Sequence, residues 1–591
     1  MLLPKKDTIF ADEMMKKLYL TLISIFLLQY ICAQNVSVIY SQSSSCEPLR
    51  EMRAVWLTTI GGLDWPHSYA QSPTSIKRQQ RELCSILDKL SAAGINTVLL
   101  QTRVRATTVF ASPMEPWDGC LSGFPGKSPG YDALAFVIEE CHKRGMKLHA
   151  WIVSIPVGRW NGEGCRHLRK TVPELLIKID NEGFMNPEKS GTADYLARFC
   201  ADITKRYDID GIHLDYIRYP ETWRFPQIHY KCQNYITHIV KTIHDAVKAE
   251  KPWVMMSCSP VGKYADTQRQ WSHGWNARDV VFQDAALWLG EGYMDAIFPM
   301  MYFRGSNFYP FAIDWLERSS GRIVTPGLGI YFLDKKEKDW PLEDITREMH
   351  VLRQYGMGNC FFRSKFFTDN VKGLYDYVSS SFARQPALVP AMSWYESSSP
   401  IAPDSVKLES RRDGTTLLSW HMDSVMLQQQ SVGNRRLLYN VYGSTSAPVD
   451  TKDASNLLMA AFDGQSIAMP SSATVRYYAV TSVDCYGNES VACQSYNGVS
   501  NDEEDDTFAY SAVFFQMEHG VVWLDNADVA DKQLLEVCSI IGNAVTSSFV
   551  RTVDGRKFIG VTDIPAGHYV VNIINKKGYR HRLGMFSVEI P

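Results

Sequence analysis

A chain of 591 residues with 45% apolar and 21% charged residues has an ordinary globular composition and the length for three or four domains. Its net charge of -3 excludes broad electrostatic binding to nucleic acid or acidic membranes, leaving room only for a local basic groove. At the N-terminus, Lys16 and Lys17 precede the apolar run Leu18 to Ile31, which ends at Cys32-Ala33-Gln34. This is the layout of a signal peptide over residues 1–34 with translation starting at Met15, so the mature protein is expected in the periplasm, at the cell surface or in the medium. The run is short for a membrane span, and no later segment supplies about 20 consecutive apolar residues. Ile31 stands where an acylation signal needs a small residue, which argues against a lipid on Cys32. The 13 cysteines are scattered without a C-x-x-C pair, the pattern of core thiols and not of a zinc site. Cys485 with Cys493 is the most plausible disulfide.

From about residue 51 to 385, short β-rich runs alternate with helical stretches, as in βα units on a parallel sheet. Eight runs are predicted: Met52 to Ile60, Ile95 to Arg103, Lys147 to Val153, Gly211 to Ile217, Trp253 to Ser259, Met294 to Tyr302, Ile323 to Tyr331 and Asn359 to Phe366. Helices are predicted at Lys77 to Ala93, Tyr131 to Arg144, Ala193 to Tyr207, Asn234 to Ala249 and Leu342 to Tyr355. The fold class is α/β, a (β/α)8 TIM barrel. An open doubly wound sheet is the competing fold, but no Gly-x-Gly-x-x-Gly turn follows the first strand.

In such a barrel alternate residues face the interior, and the loops after the strands form the active site. On the second strand Gln101, Arg103 and Arg105 share one parity and are candidates to bind substrate. Two arginines so close need anionic partners, so an ion-pair network is the alternative. Glu115, between Pro113 and Pro116 and two residues from Trp117, is a candidate general acid because a stiff aromatic loop raises a carboxyl pKa; a plain surface glutamate is as good a reading. Trp117 is a candidate sugar-stacking residue. The third strand presents His149 and Trp151, and the fourth presents His213 and Asp215; His149, Trp151 and His213 are substrate-binding candidates, although a lone His such as His149 is more often a hydrogen-bonded core or positioning residue than a catalyst. Asp215 is the strongest catalytic candidate, since a late interior carboxylate is costly unless paired or solvated by a site; a salt bridge to Arg218 is the bland alternative. Tyr302, Arg304, Arg363 and Lys365 lie near later strand exits, with Tyr302 a substrate-binding candidate. Asp284 either enters the pocket or caps the next helix.

After Gln385, prolines and the cluster Ser397-Ser398-Ser399-Pro400 form a linker, so a barrel ending near residue 385 is expected to fold alone. Residues 396–496 then show short alternating strands, Thr415 to Trp420, Leu438 to Tyr442 and Val475 to Val483, and resemble a fibronectin type III sandwich. An acidic connector, Asn501 to Asp506, leads to a β domain over 507–591. Its stretch Asp563 to Ile573 resembles the C-terminal sorting domains of type IX secretion, although the ending Val588-Glu589-Ile590-Pro591 lacks a basic finish. A plain accessory module is the alternative.

Residues 51 to about 370 resemble the bacterial glycosyl-hydrolase-like family 10. The matching stretches are Arg53 to Thr59, Gln101 to Arg105, Met114 to Asp118, His149 to Trp151, Asp210 to Tyr216 and Asp295 to Tyr302. Two departures are Val153-Ser154, where relatives often carry Asn-Pro, and Tyr216, where many have a second Asp. The resemblance implies a TIM barrel that hydrolyses glycosidic bonds, with peptidoglycan glycan as an attractive substrate. The expected partner is therefore a carbohydrate, not nucleic acid, with cell-envelope association open and oligomeric state unknown. No cofactor and no metal is called for by any spacing. The expected roles are Asp215 as nucleophile or base and Glu115 as acid; the competing function is a non-catalytic carbohydrate-binding or surface-assembly protein on the same barrel.

Overall fold

Eight short strands, every one parallel to its neighbours, close into a barrel. They are Arg53–Leu57, Thr97–Arg103, Lys147–Val153, Gly211–Asp215, Met255–Cys258, a sixth split into Ala296–Ile297 and Met300–Met301, a seventh split into Ile323–Val324 and Gly327–Leu328, and Asn359–Phe361. Pro299 and Pro326 cause the two splits, because proline has no N–H to give to the ladder. Pairing nevertheless continues through both halves, Ala296 with Ile323 and Met300 with Gly327. The ring closes where Gly327 pairs with Cys360 and Cys360 with Ala54. This computed structural model describes residues 47–220, 223, 229–422, 437–470, 475–495, 515–518, 520–524, 529–539, 544–553, 555–561, 564–574 and 580–588. The expected signal peptide with Met15 and Cys32, the acidic connector, Asp563 and residues 589–591 lie outside them.

The expected helices are present as Pro73–Ala92, Ala133–His142, Ser190–Arg206, His229–Glu250 and Leu342–Gln354. Each buries an apolar stripe in one continuous core with the outward faces of the strands. A second, smaller cluster fills the barrel itself and includes Trp56, Leu99, Trp151, Met255 and Phe298. The loop after the third strand is long because it holds its own antiparallel sheet, Pro156–Arg159 with Glu182–Met185 and Leu176–Ile179. The composition of that stretch, with no sustained alternation, gave no sign of it.

Beyond the barrel lie two sheets of short antiparallel strands. One orders Ser405–Ser410, Thr415–His421 and Ser466–Pro470; the other orders Leu457–Phe462, Leu438–Ser444, Tyr477–Val483 and Cys493–Gln494. Trp420, Tyr439 and Val441 are buried among them. Two further four-stranded sheets between Gln516 and Val588 enclose another core, around Val522, Leu535 and Val571. Every described cysteine is a free thiol, Cys485 and Cys493 included, so the expected disulfide is not formed.

The proline-rich stretch after Gln385 is not a free tether. Met392 and Trp394 join the cluster inside the barrel, and Leu388 bridges to Arg50 just ahead of the first strand. Asp295, 0% exposed at the start of the sixth strand, accepts from Trp394 Nε1 at 3.0 Å and Lys248 Nζ at 2.9 Å. Arg50 donates to Gly487 O and pairs at 3.3 Å with Glu489, in the turn after the strand Tyr477–Val483. Residues 386–396 therefore form the floor at the N-terminal end of the barrel. We expect a chain ending at residue 385 to aggregate or melt well below the full protein, whereas one ending at 495 keeps a cooperative melt. Equal thermal melts for the two would show the floor to be dispensable.

One buried carboxyl lies outside any site. Glu348, on the helix Leu342–Gln354, is 1% exposed, and neither oxygen has a hydrogen-bond partner among the described residues. Burial, reinforced by the Asp344 charge and weakly opposed by Arg304, pushes its pKa up to about 9. The native state thus keeps a proton that the unfolded chain gives up near about 4.3. Stability is fully present below that unfolded value and is lost as pH rises through 9, at up to about 1.4 kcal/mol per pH unit. Glu348→Gln is expected to gain thermal stability over the parent progressively from about pH 5 to about pH 9, then level off. A stability difference that does not change with pH would mean that Glu348 is ionised in the native protein.

Candidate active site

The fourth strand delivers a carboxylate to the C-terminal mouth by simple alternation. Ile212 and Leu214 pack outward against the helices, while Gly211, His213 and Asp215 face the interior. Gly211 is bare because the His149 ring lies 2.7 Å from where a Cβ would sit. Asp215 is 5% exposed. Its Oδ1 accepts from Ser259 Oγ at 2.8 Å and from the Tyr216 amide at 2.8 Å, and its Oδ2 accepts from Trp151 Nε1 at 3.0 Å. With two lone pairs on each oxygen, one on Oδ2 stays uncommitted. No cation makes an ion pair with it among the described residues. Burial pushes its pKa above the ordinary aspartate value, against the pull of Ser259, the Tyr216 amide and the Arg218 charge.

Tyr216 leaves the strand at φ +48°, a left-handed conformation that non-glycine residues seldom take and that clusters at functional sites. Its ring lies under the Arg218 guanidinium at 4.5 Å. Tyr302 feels the same carboxylate: burial, then the Asp215 charge, push its phenol well above the usual range. Tyr302 stacks on Phe362 at 5.3 Å and meets Tyr331 edge-on at 5.8 Å. A buried carboxylate beside an aromatic wall is the result.

The two histidines belong to the filling of the barrel, not to its mouth. His213 is 0% and His149 1% exposed. His213 Nε2 accepts from Trp56 Nε1 at 3.3 Å, which leaves the proton on Nδ1, facing Ser257 Oγ at 3.1 Å. Burial pushes His213 well below its usual value and His149 to about 4. Neutral and sealed, neither reaches substrate, contrary to expectation. Trp151 acts on Asp215 through its indole N–H.

A bulge overturns the reading of the second strand. Gln101 pairs with Trp151, but Arg103 pairs with the very next residue, Ile152, so Thr102 is an extra residue that rotates Arg103 out of the interior. Arg103 is 0% exposed between the barrel and the helix Ser190–Arg206, its guanidinium 5.5 Å from the Phe199 ring. Glu115 meets it there, with Nε to Oε2 at 2.8 Å and Nη2 to Oε1 at 2.7 Å, and Tyr195 donates to the same Oε1 at 3.2 Å. Glu115 is thus the anionic partner of Arg103 and not a free acid, and Arg103 does not bind substrate. Arg103 Nη1 also holds the carbonyls of Val153 and Ser154, and the Ser154 amide donates to the Asp215 carbonyl. The pair positions the exit of the third strand beside the catalytic candidate.

Gln101 keeps its inward parity but accepts from the amides of Thr59, at 3.1 Å, and Ile60, at 2.9 Å, fixing the loop after the first strand. Arg105 is exposed and lines a cleft of about 590 Å³ between the loops after the first three strands, apart from the contacts of Asp215. Trp117 is half-buried against the core of its own loop. Asp284 caps the helix Ala285–Gly290 through the Leu287 amide. Arg304, Arg363 and Lys365 pair with Asp344, Asp64 and Asp369. Ser259 was missed from sequence, though the parity of Met255, Ser257 and Ser259 marks it as inward. Tyr331 carries no such signal, because its strand ends before it.

The family model for glycosyl hydrolase-like 10 matches residues 51–233 and 227–332. Glycosyl hydrolase YngK of Bacillus subtilis (strain 168) is 28% identical over 404 residues, covering 62% of this chain and 79% of that protein. Glycosyl hydrolase DigH of Escherichia coli (strain K12) is 30% identical over 348 residues, covering 50% of this chain and 78% of that protein. Among solved structures, the catalytic domain of beta-amylase from Paenibacillus polymyxa is 11% identical with a TM-score of 0.39, over 56% of this chain and 99% of that one.

Proposed function

Because the chain belongs to the glycosyl hydrolase-like 10 family and has a glycoside hydrolase-type function, we propose that it cleaves O-glycosidic bonds of a cell-wall or extracellular polysaccharide, with peptidoglycan glycan as the first substrate to test. Asp215 carries the reading. It is a buried carboxylate at a strand exit, held by three donors, without an ion-pair partner among the described residues, and with one free lone pair on Oδ2. Its raised pKa suits a general acid that protonates the leaving oxygen. This shifts its role from the nucleophile or base expected from sequence. The aromatic wall of Tyr302, Tyr331 and Tyr216 offers the faces on which sugar rings stack. Glycosidases set a second carboxylate roughly 5–10 Å away, and Glu115, locked to Arg103, is not that group.

The signal-peptide pattern supports action outside the cytoplasm, at the cell surface, in the periplasm or in the medium. The three-plus-four-stranded sheets after the barrel support a fibronectin type III-like module, and the last β domain an accessory or sorting role. Incubation of the full chain with peptidoglycan, peptide-free glycan strands, and plant and host glycans is the test, read as new reducing ends. At least one glycan is expected to yield them in an Asp215-dependent manner; none doing so would overturn the reading.

A further inference from the structure

A cleft among the loops at the C-terminal face of the barrel holds two cations without an ion pair among the described residues. Its walls come from Gly61–Tyr69, from 105–125 and from 157–164, the loops after the first three strands. Its volume, about 590 Å³, falls within the roughly 300–1,000 Å³ of ligand pockets. Arg105 and Arg159 are both exposed, and neither guanidinium has an ion pair or hydrogen bond among the described residues. The acids of the cleft are by contrast engaged. Asp118 accepts from Thr107 Oγ1 at 2.6 Å and from the Cys120 amide at 2.8 Å, and Glu163 pairs with Arg166 at 2.5 Å. Glu182 stands opposite Arg159 in the ladder without ion-pair contact.

Both arginines line the one cleft, and Arg105 packs against the strand that carries Arg159. Arg105 lies against Gly158, where a Cβ would come within 2.9 Å of it, and Gly158 has φ +81°, a conformation natural to glycine. Arg159 follows directly. The cleft opens on the same C-terminal face of the barrel as Asp215, because its walls are the loops after the first three strands and Asp215 ends the fourth. On the other wall, Gln101 holds the Thr59 and Ile60 amides just before Gly61.

We propose that the cleft is a subsite for an acidic sugar unit, whose carboxylate is held by Arg105 and Arg159, and hence that the substrate is a carboxylate-bearing glycan. A planar guanidinium fork matches a carboxylate in two hydrogen bonds. The inference rests on the glycosidase reading and names the substrate class of that site. Two sources carry this chemistry, the lactyl ether of a muramic-type sugar and the C6 carboxylate of a uronic acid.

The test uses the full chain with peptide-free peptidoglycan glycan, polyuronate oligosaccharides, and the carboxyl-reduced form of each. The parent is expected to prefer one acidic glycan over its reduced form at least tenfold in kcat/KM, mainly through KM. In Arg105→Ala/Arg159→Ala that preference is expected to fall to about one, and the source favoured is the one whose reduction matters. Equal kcat/KM on acidic and reduced glycans, or a preference that survives in the double variant, overturns the subsite while leaving the glycosidase reading intact. If no glycan is cleaved, the glycosidase reading fails separately. Calorimetric binding of the same acidic glycans then decides: binding weakened by salt and lost in the double variant supports the cleft as a carboxylate site, and no binding overturns it.

Discussion

Asp215→Asn is expected to remove at least about two orders of magnitude of glycan hydrolysis, the scale for losing a positioned acid, while the protein stays folded. The asparagine oxygen still accepts from Ser259 and the Tyr216 amide, but its NH2 then meets the Trp151 N–H, donor against donor. That mismatch costs on the order of 1 kcal/mol, a small loss of melting temperature for a domain of this size. The two readouts separate roles. A large loss of kcat with a nearly parental melt fits the acid, whereas an early melt with activity preserved at low temperature makes Asp215 a structural acceptor. Parental turnover and a parental melt together would place the catalytic carboxylate elsewhere.

Glu115→Gln is expected to have the opposite signature. It strands the Arg103 guanidinium, 0% exposed, without a counter-charge, and breaking a buried pair from one side costs about 3–5 kcal/mol. The melt should fall sharply, with activity lost in step with folded protein and not by the factor of a missing acid. Arg103→Met/Glu115→Leu removes both charges and is expected to recover much of that loss, although the carbonyls of Val153 and Ser154 lose their donor. A Glu115→Gln variant with a parental melt and a hundredfold lower kcat would instead restore Glu115 as a catalytic group.

The same bulge explains how far the chemistry of the second strand was legible. Parity counting on Gln101, Arg103 and Arg105 assumes one residue per rung, and Thr102 breaks that assumption without any local signature. From there on, Arg103 exchanges the barrel interior for the helix layer. Its meeting with Glu115, twelve residues away, is set by a through-space fit that neither residue announces. The floor is a similar case. Prolines and serines after Gln385 read as a linker because local composition reports backbone stiffness, not what Met392 and Trp394 will cover.

The sequence by itself determined the order of the eight strands, the helices between most of them and the inward face of the fourth strand. These depend on alternation, helical periodicity and turn chemistry, which act over a few residues. Asp215 was visible for that reason: it closes an apolar run whose parity is unbroken from Gly211. Only the tertiary structure decided which charges neutralise one another, which histidines are sealed beneath the site, and that Arg105 and Arg159 share a cleft. Ion pairing and desolvation depend on distances between loops far apart in the chain, and closing the ring of strands is what sets those distances.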